Sequence, residues 1–304
     1  MLVAGTSPLD KNMIRVSERF KDLDRLAPPP RAVEAKLLLE IFGSGCLVQF
    51  GWMWVLFVGV FLHLSGFFTS LTGSRTLTGP RSTVTGVVTG CEKWPLEINE
   101  EPVFAIYFEY EVEGQKSSGR SFMTGYEYDP GEAVSVDYSL GDPTIGMLRD
   151  GRATPVPLGG VVLFGGIGLL FIAYNFYWTI KSQNLLKNGV VARAKLVSKE
   201  ATNTEVNEQR VYKFTFEFED AAGRTQQHVY STHEYDEITD EDEEPLLYLP
   251  HKPSRALLLD CLPGDPKVSF AGGFESRRGL PWGGMILPVL NLALWGYGLY
   301  VAFA

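Results

Sequence analysis

Three stretches of the chain are apolar without interruption. No Asp, Glu, Lys or Arg lies in the 34 residues between Glu40 and Arg75, in the 28 between Arg152 and Lys181, or in the 26 after Arg278. A helix crossing a bilayer core needs about 20 apolar residues. Each stretch therefore predicts a membrane span, at 46–71, 156–180 and 281–304. Trp52, Trp54, Trp178, Trp282 and Trp295 fall towards the ends of these spans, where interfacial aromatics gather. At about 1.5 Å per residue the first stretch would run about 51 Å against a core of about 30 Å. Part of it is expected outside the hydrocarbon, as a cytosolic extension of the helix or as tilt.

Between the spans the pattern changes to a period of two. Phe104, Ile106, Phe108, Tyr110 and Val112 share one face of a strand, and Tyr212, Phe214, Phe216 and Phe218 share another, with Lys213, Thr215, Glu217 and Glu219 opposite. Gly114 and Gly223 mark hairpin turns, because glycine accepts positive φ. Val134, Val136 and Tyr138 continue the alternation. The landmarks recur in order: Phe108-Glu109-Tyr110 against Phe216-Glu217-Phe218, then Tyr138, Pro143, Leu148 and Asp150 against Tyr248, Pro253, Leu258 and Asp260. That order reads as a duplicated module.

Ahead of the first span the period is helical. Ser7-Pro8-Leu9-Asp10 is a helix start, Met13, Val16, Phe20 and Leu23 line one face, and Pro28–Pro30 stops the run. This arm packs on the second module or lies in the membrane interface. The predicted organisation is a cytoplasmic arm (1–40), a span (46–71), a β-module (80–152), a span (156–180), a second β-module (187–262) and a third span (281–304). The fold class is an α+β membrane protein. It has three transmembrane helices and two small antiparallel β-rich modules, sandwich or barrel-like.

Charge adds orientation and an exclusion. The net charge of −9 lacks the basic footprint of a nucleic-acid binder. With the N-terminus inside, ten Lys and Arg flank the inner helix ends, among them Arg31, Lys36, Lys181 and Lys187, against Arg75, Arg81, Arg149 and Arg152 outside. The excess predicts an inner-membrane protein with N-terminus and second module cytoplasmic, first module and C-terminus outside. No cleavable leader is expected, since the first apolar run begins beyond residue 40 behind an acid-containing arm. Cys46, Cys91 and Cys261 fall one to each compartment, so no disulfide staples a module.

One set of residues resembles a family. Gly86-Val87-Val88, Tyr107-Phe108-Glu109-Tyr110, Gly114, Tyr128, Gly131, Val134-Ser135-Val136-Asp137-Tyr138 and Asp142-Pro143 are similar to the bacterial membrane-associated family called domain of unknown function 3592. The resemblance covers about 82–150. The second copy departs from it: acids stand where Gly precedes the last strand, and Leu246-Leu247-Tyr248-Leu249-Pro250-His251-Lys252-Pro253 replaces the Val-x-Val-x-Tyr and Gly-Asp-Pro run. The resemblance implies a small β-module beside membrane helices and brings no catalytic residues.

Chemical constellations are sparse. His228 and His233, five apart, fall on opposite faces of a strand, as water-facing edge residues or, less simply, metal ligands. Eight of the eleven residues from Glu234 to Glu244 are acidic, without the glycine that a Ca²⁺ loop needs at its sharp turn, so they read as a solvated loop. Gly159, Gly160, Gly165, Gly166 and Gly168 lack a phosphate-loop Lys and read as sites of close helix approach in lipid. Gln49, Asn175 and Asn291 are expected to meet and tie the three spans together. His63 sits apart from them, as an intramembrane proton site or bonded to a neighbouring carbonyl. The resulting expectation is a non-enzymatic protein with no metal or cofactor, partnered by lipid and by other membrane or envelope proteins. An accessory subunit or small carrier centred on His63 is the alternative, and a metal-dependent membrane hydrolase a weaker one.

Overall fold

The computed structural model describes residues 23–72, 77–206, 208–233, 243–278 and 282–303. The expected arm helix lies almost wholly outside these residues, as does most of the acidic run. The chain divides into two compact units, one holding the chain up to Val48 with Ala173–Gly284, the other Gln49–Ile172 with Met285–Ala304.

Among the described residues three helices are long and apolar enough to cross a membrane: α2 (Cys46–Leu64), α4 (Leu158–Asn188) and α5 (Trp282–Phe303). The first charge-free stretch is not one helix. It begins in α1 (Ala35–Gly43), continues as α2, and ends in the short α3 (Phe67–Leu71). The breaks fall at Ser44-Gly45 and Ser65-Gly66. Gly66 has φ +65°, a left-handed conformation that ends α2 and that a side chain would resist. The span drawn to residue 71 therefore stops at Leu64. In contrast, α4 runs past its last apolar turn to Asn188, about 46 Å at 1.5 Å per residue.

In the second unit, β1 (Arg81–Ile98), β2 (Glu101–Val112), β3 (Gln115–Thr124), β4 (Ala133–Ser139) and β5 (Gly146–Leu148) form one antiparallel sheet in the order β3-β2-β1-β4-β5. Phe122 and Arg152 exchange backbone hydrogen bonds of 2.8 and 2.9 Å, which joins β3 to the chain just beyond β5 and nearly closes a barrel. The result is a nearly closed five-stranded antiparallel barrel. Its interior holds Val88, Ile106, Phe108, Tyr110, Val134, Val136 and Leu148.

In the first unit, β6 (Val190–Val206), β7 (Gln209–Glu219), β8 (Thr225–Thr232), β9 (Glu244–Leu249) and β10 (Lys252–Leu258) take the corresponding order, β10-β9-β6-β7-β8. The pairing corresponds residue by residue. Gly86 faces Tyr110 and Ala194 faces Phe218, both 108 residues on. Register shifts fall between Val88 and Gly90 and between Lys93 and Glu97, and again between Leu196 and Ser198 and between Ala201 and Glu205. Tyr138 faces Ser82 and Gly146, while Tyr248 faces Val190 and Ala256. The interior again carries the aromatic face, Phe214, Phe216, Phe218 and Tyr248. A short ribbon of β11 (Pro266–Val268) and β12 (Phe274–Ser276) follows.

The two sheets differ in which outer face is covered. On β2, Val103, Phe104, Ala105 and Ile106 are all buried, so the expected alternation fails there. Val103 and Ala105 form a second cluster with Phe122, against Trp94, Leu96 and Ile98. On β9 the outer positions are Leu247 and Leu249, which pack against Leu37 and Ile41 of α1 and Leu185 and Leu186 of α4. Their counterparts in the first sheet, Asp137 and Ser139, are polar. The Leu-Leu-Tyr-Leu run therefore reflects a strand buried on both faces, as continuous apolar strands generally are.

Candidate functional site at the barrel–helix junctions

In the second unit the first barrel is seated on the end of α2. Val58, Leu62, Phe67, Phe68 and Val156 form an apolar cluster that also takes in Leu96 and Trp295. The Trp94 indole Nε1 donates to the Ser65 carbonyl at 2.8 Å. Arg120 of β3 donates to the carbonyls of Ser70 and Thr72, and its guanidinium lies over the Phe122 ring at 5.2 Å. Carbonyls at a helix end lack an intrahelical donor, and these side chains supply one.

Within the apolar helices the polar groups are held in a similar way. Asn291 Nδ2 donates to the Trp52 carbonyl of α2 and to the Leu287 carbonyl of its own helix, both at 2.9 Å. Trp54 Nε1 donates to the Phe164 carbonyl of α4 at 2.7 Å. His63 Nδ1 lies 2.9 Å from the Gly59 carbonyl one turn back, and the ring packs on Phe68 and Tyr297 with centroids 4.6 and 5.9 Å away. Its Nε2 is buried and finds no hydrogen-bond partner among the described residues. Gln49 lies on α2 in this unit. Asn175 lies in the first unit, where a Cβ on Gly45 would come within 2.8 Å of its Nδ2.

Close helix approach falls on other glycines than the expected cluster. A Cβ on Gly51 would lie 2.9 Å from the Gly168 carbonyl, and one on Gly168 would lie 3.0 Å from the Gly51 carbonyl. Gly59 faces Leu294 and Trp295 equally tightly. Around Gly159, Gly160, Gly165 and Gly166 nothing lies within 4 Å. Of the five, only Gly168 is a contact point. The apolar pattern of α4 does not reveal which face meets a neighbour.

In the first unit, Arg31 closes the end of α4. Its backbone N–H donates to the Lys187 carbonyl at 2.9 Å, and its guanidinium reaches the carbonyls of Ala27 and Leu186. The side chain is buried against the Phe274 ring, and burial lowers its pKa from the ordinary value. A cation is favoured at a helix C-terminus by the dipole there. Buried Glu40 accepts a 2.6 Å hydrogen bond from the Ser276 hydroxyl, and Glu34 accepts one from the Ser276 N–H. Sequence reading placed Arg31 only among flanking charges, because Leu186, Lys187 and Phe274 lie more than 150 residues away.

On the second sheet, Asp220 organises the β7–β8 turn. Its carboxylate accepts from the N–H groups of Ala222 and Arg224, from Arg224 Nε and from Gln226. Burial opposes ionisation of Asp220, yet these donors and the Arg224 charge outweigh it and hold the pKa below the usual value. His228 faces Phe216 in the β7–β8 ladder. Its Nε2 is buried without a partner among the described residues, and desolvation lowers its pKa. A water-facing His228 is thereby corrected: one ring nitrogen is enclosed. Among the described residues no group of three His, Cys, Asp or Glu side chains could hold a metal ion.

No protein-family model matches this chain, and no curated protein matches it. Among solved structures it is similar to the "Structure and Conformational Change of a Replication Protein A Heterotrimer Bound to ssDNA", at 10% identity over 57% of this chain and 44% of that one. The TM-score is 0.16, a likeness too slight to carry an argument.

Proposed function

We propose that this chain is a non-enzymatic multi-pass membrane scaffold. It carries two related β-modules, the first resembling the family called domain of unknown function 3592 and the second divergent, and presents one module on each side of the membrane. The exposed barrel faces dock other membrane or envelope proteins. One observation carries the reading: the polar side chains best placed for chemistry are engaged with backbone carbonyls. Trp94, Arg120 and Arg31 hold helix ends, and Asn291 and His63 hold carbonyls within the helices. Such contacts fix the first barrel on a helix end and the helices on one another. Catalysis calls instead for groups converging on a reacting atom.

The test is site-specific photo-crosslinking in native membranes from exposed barrel positions, Lys116 and Ala222. A scaffold gives discrete adducts with other proteins at one position or both, and absence of adducts at both positions contradicts the reading. A second reading, a proton or solute carrier, draws on the unpartnered His63 Nε2. It requires that His63→Ala, well expressed, abolish the activity of the cell's transport system.

A further inference from the structure

A recess of about 400 Å³ opens where the first barrel overhangs the helices of the second unit. Phe57, Phe61 and Leu62 of α2 form one wall, Gly160 and Phe164 of α4 another, and Leu96–Ile98 at the end of β1 the roof. Its walls are apolar, and Glu97 stands at the rim. The exposed rings of Phe57, Phe61 and Phe164 continue outward along the two helices, onto the surface that apolar spans turn towards lipid. Glu97 is paired there with Lys93, at 3.4 Å, and both side chains are exposed.

We propose that this recess holds one acyl chain of an amine-bearing zwitterionic phospholipid, with the headgroup on the Lys93–Glu97 pair. Water does not suit the recess, because a buried water needs two to four polar partners. An empty recess forfeits the dispersion contacts of its walls. A partner helix is too wide. At a diameter of about 10 Å, one turn fills about 400 Å³, while the lining residues run along about one and a half turns of each helix. A single unbranched chain is narrow enough and is present at millimolar excess in any bilayer. At the rim, Lys93 complements the lipid phosphate and Glu97 its ammonium group. Gly160 supplies the width, since a Cβ there would meet nothing within 4 Å.

The test uses the full chain, purified in detergent and equilibrated with equal phosphatidylethanolamine and phosphatidylcholine, with bound lipid counted by native mass spectrometry. The wild type retains one lipid, with phosphatidylethanolamine preferred. Gly160→Phe fills the recess and lowers retention about tenfold, a change of about 1.4 kcal/mol. The pair Lys93→Gln and Glu97→Gln keeps a lipid but loses the headgroup preference. Should Gly160→Phe fail to reach the membrane, Phe61→Ser makes one exposed wall polar and gives the same loss. Retention in both wall variants equal to the wild type overturns the proposal. So does a co-purifying polypeptide that Gly160→Phe displaces while the lipid count stays unchanged.

Discussion

The Trp94 indole donates to the carbonyl of Ser65, the residue just beyond α2, across 2.8 Å. Gly66, next in the chain, is left-handed, and a Cβ on it would sit 2.9 Å from the same indole nitrogen. The hydrogen bond and the close approach together fix how β1 meets the helix end. Trp94→Phe is expected to cost about 1 kcal/mol, the usual net worth of one hydrogen bond. Gly66→Ala is expected to cost more, because strain of about 1–2 kcal/mol in the left-handed region adds to the collision with the indole. Thermal unfolding of both variants in detergent gives the order, with Gly66→Ala the less stable.

Arg31 supplies both charge and a planar fork to the end of α4. Arg31→Lys keeps the charge but loses the fork, and is predicted to destabilise the protein by about 1.5–3 kcal/mol, the range for hydrogen bonds to charged groups. Hydrogen exchange should localise the loss to the last turn of α4. A variant as stable as the wild type would show that the guanidinium contacts are dispensable.

His228 sets a pH dependence on the second sheet. Burial lowers its pKa below the ordinary 6.5, so between that value and the folded value the unfolded chain binds the proton more readily. The stabilisation is complete above pH 6.5. It declines as the pH falls below 6.5 and levels off once the folded ring itself protonates. His228→Gln is expected to flatten this part of the stability–pH curve, as read by denaturant unfolding at several pH values.

Asn291 joins α5 to α2 through the Trp52 carbonyl. Asn291→Leu keeps the apolar contacts and removes this bond, at an expected cost of about 0.6–2 kcal/mol. The readout is the detergent concentration or temperature at which the helices separate, followed by proteolysis of the loops.

Much of the architecture is legible in the order of residues, for identifiable reasons. Charge-free runs near bilayer length yield α2, α4 and α5 because hydrocarbon excludes charge over that distance. Alternating aromatics yield β2 and β7 because a barrel interior takes every second side chain. What stays hidden depends on partners distant in the chain. Leu247 and Leu249 read as a departure from the first module's pattern until α1 and α4 are seen to cover them. Pro95 lies where β1 shifts register between Lys93 and Glu97, a place where proline is tolerated, and that shift is set by the pairing with β2. The contacts of Gly51, Gly59 and Gly168 follow from helix rotation, which an all-apolar helix does not encode in its pattern. Among the candidate site residues, His63 and Asn291 were visible as polar groups in apolar runs. Their carbonyl partners were not, because a backbone carbonyl leaves no mark on residue type.

The proposed function requires that the three spans place the first barrel and the second sheet on opposite sides of one membrane. The direct measurement is labelling by a membrane-impermeant maleimide, with single cysteines Lys116→Cys in the first barrel and Ala222→Cys in the second, in a chain whose Cys46, Cys91 and Cys261 are replaced by Ala. The account predicts that Lys116→Cys is labelled in intact cells and Ala222→Cys only after permeabilisation. Labelling of both positions from the same side, or extraction of the protein without detergent, would contradict it.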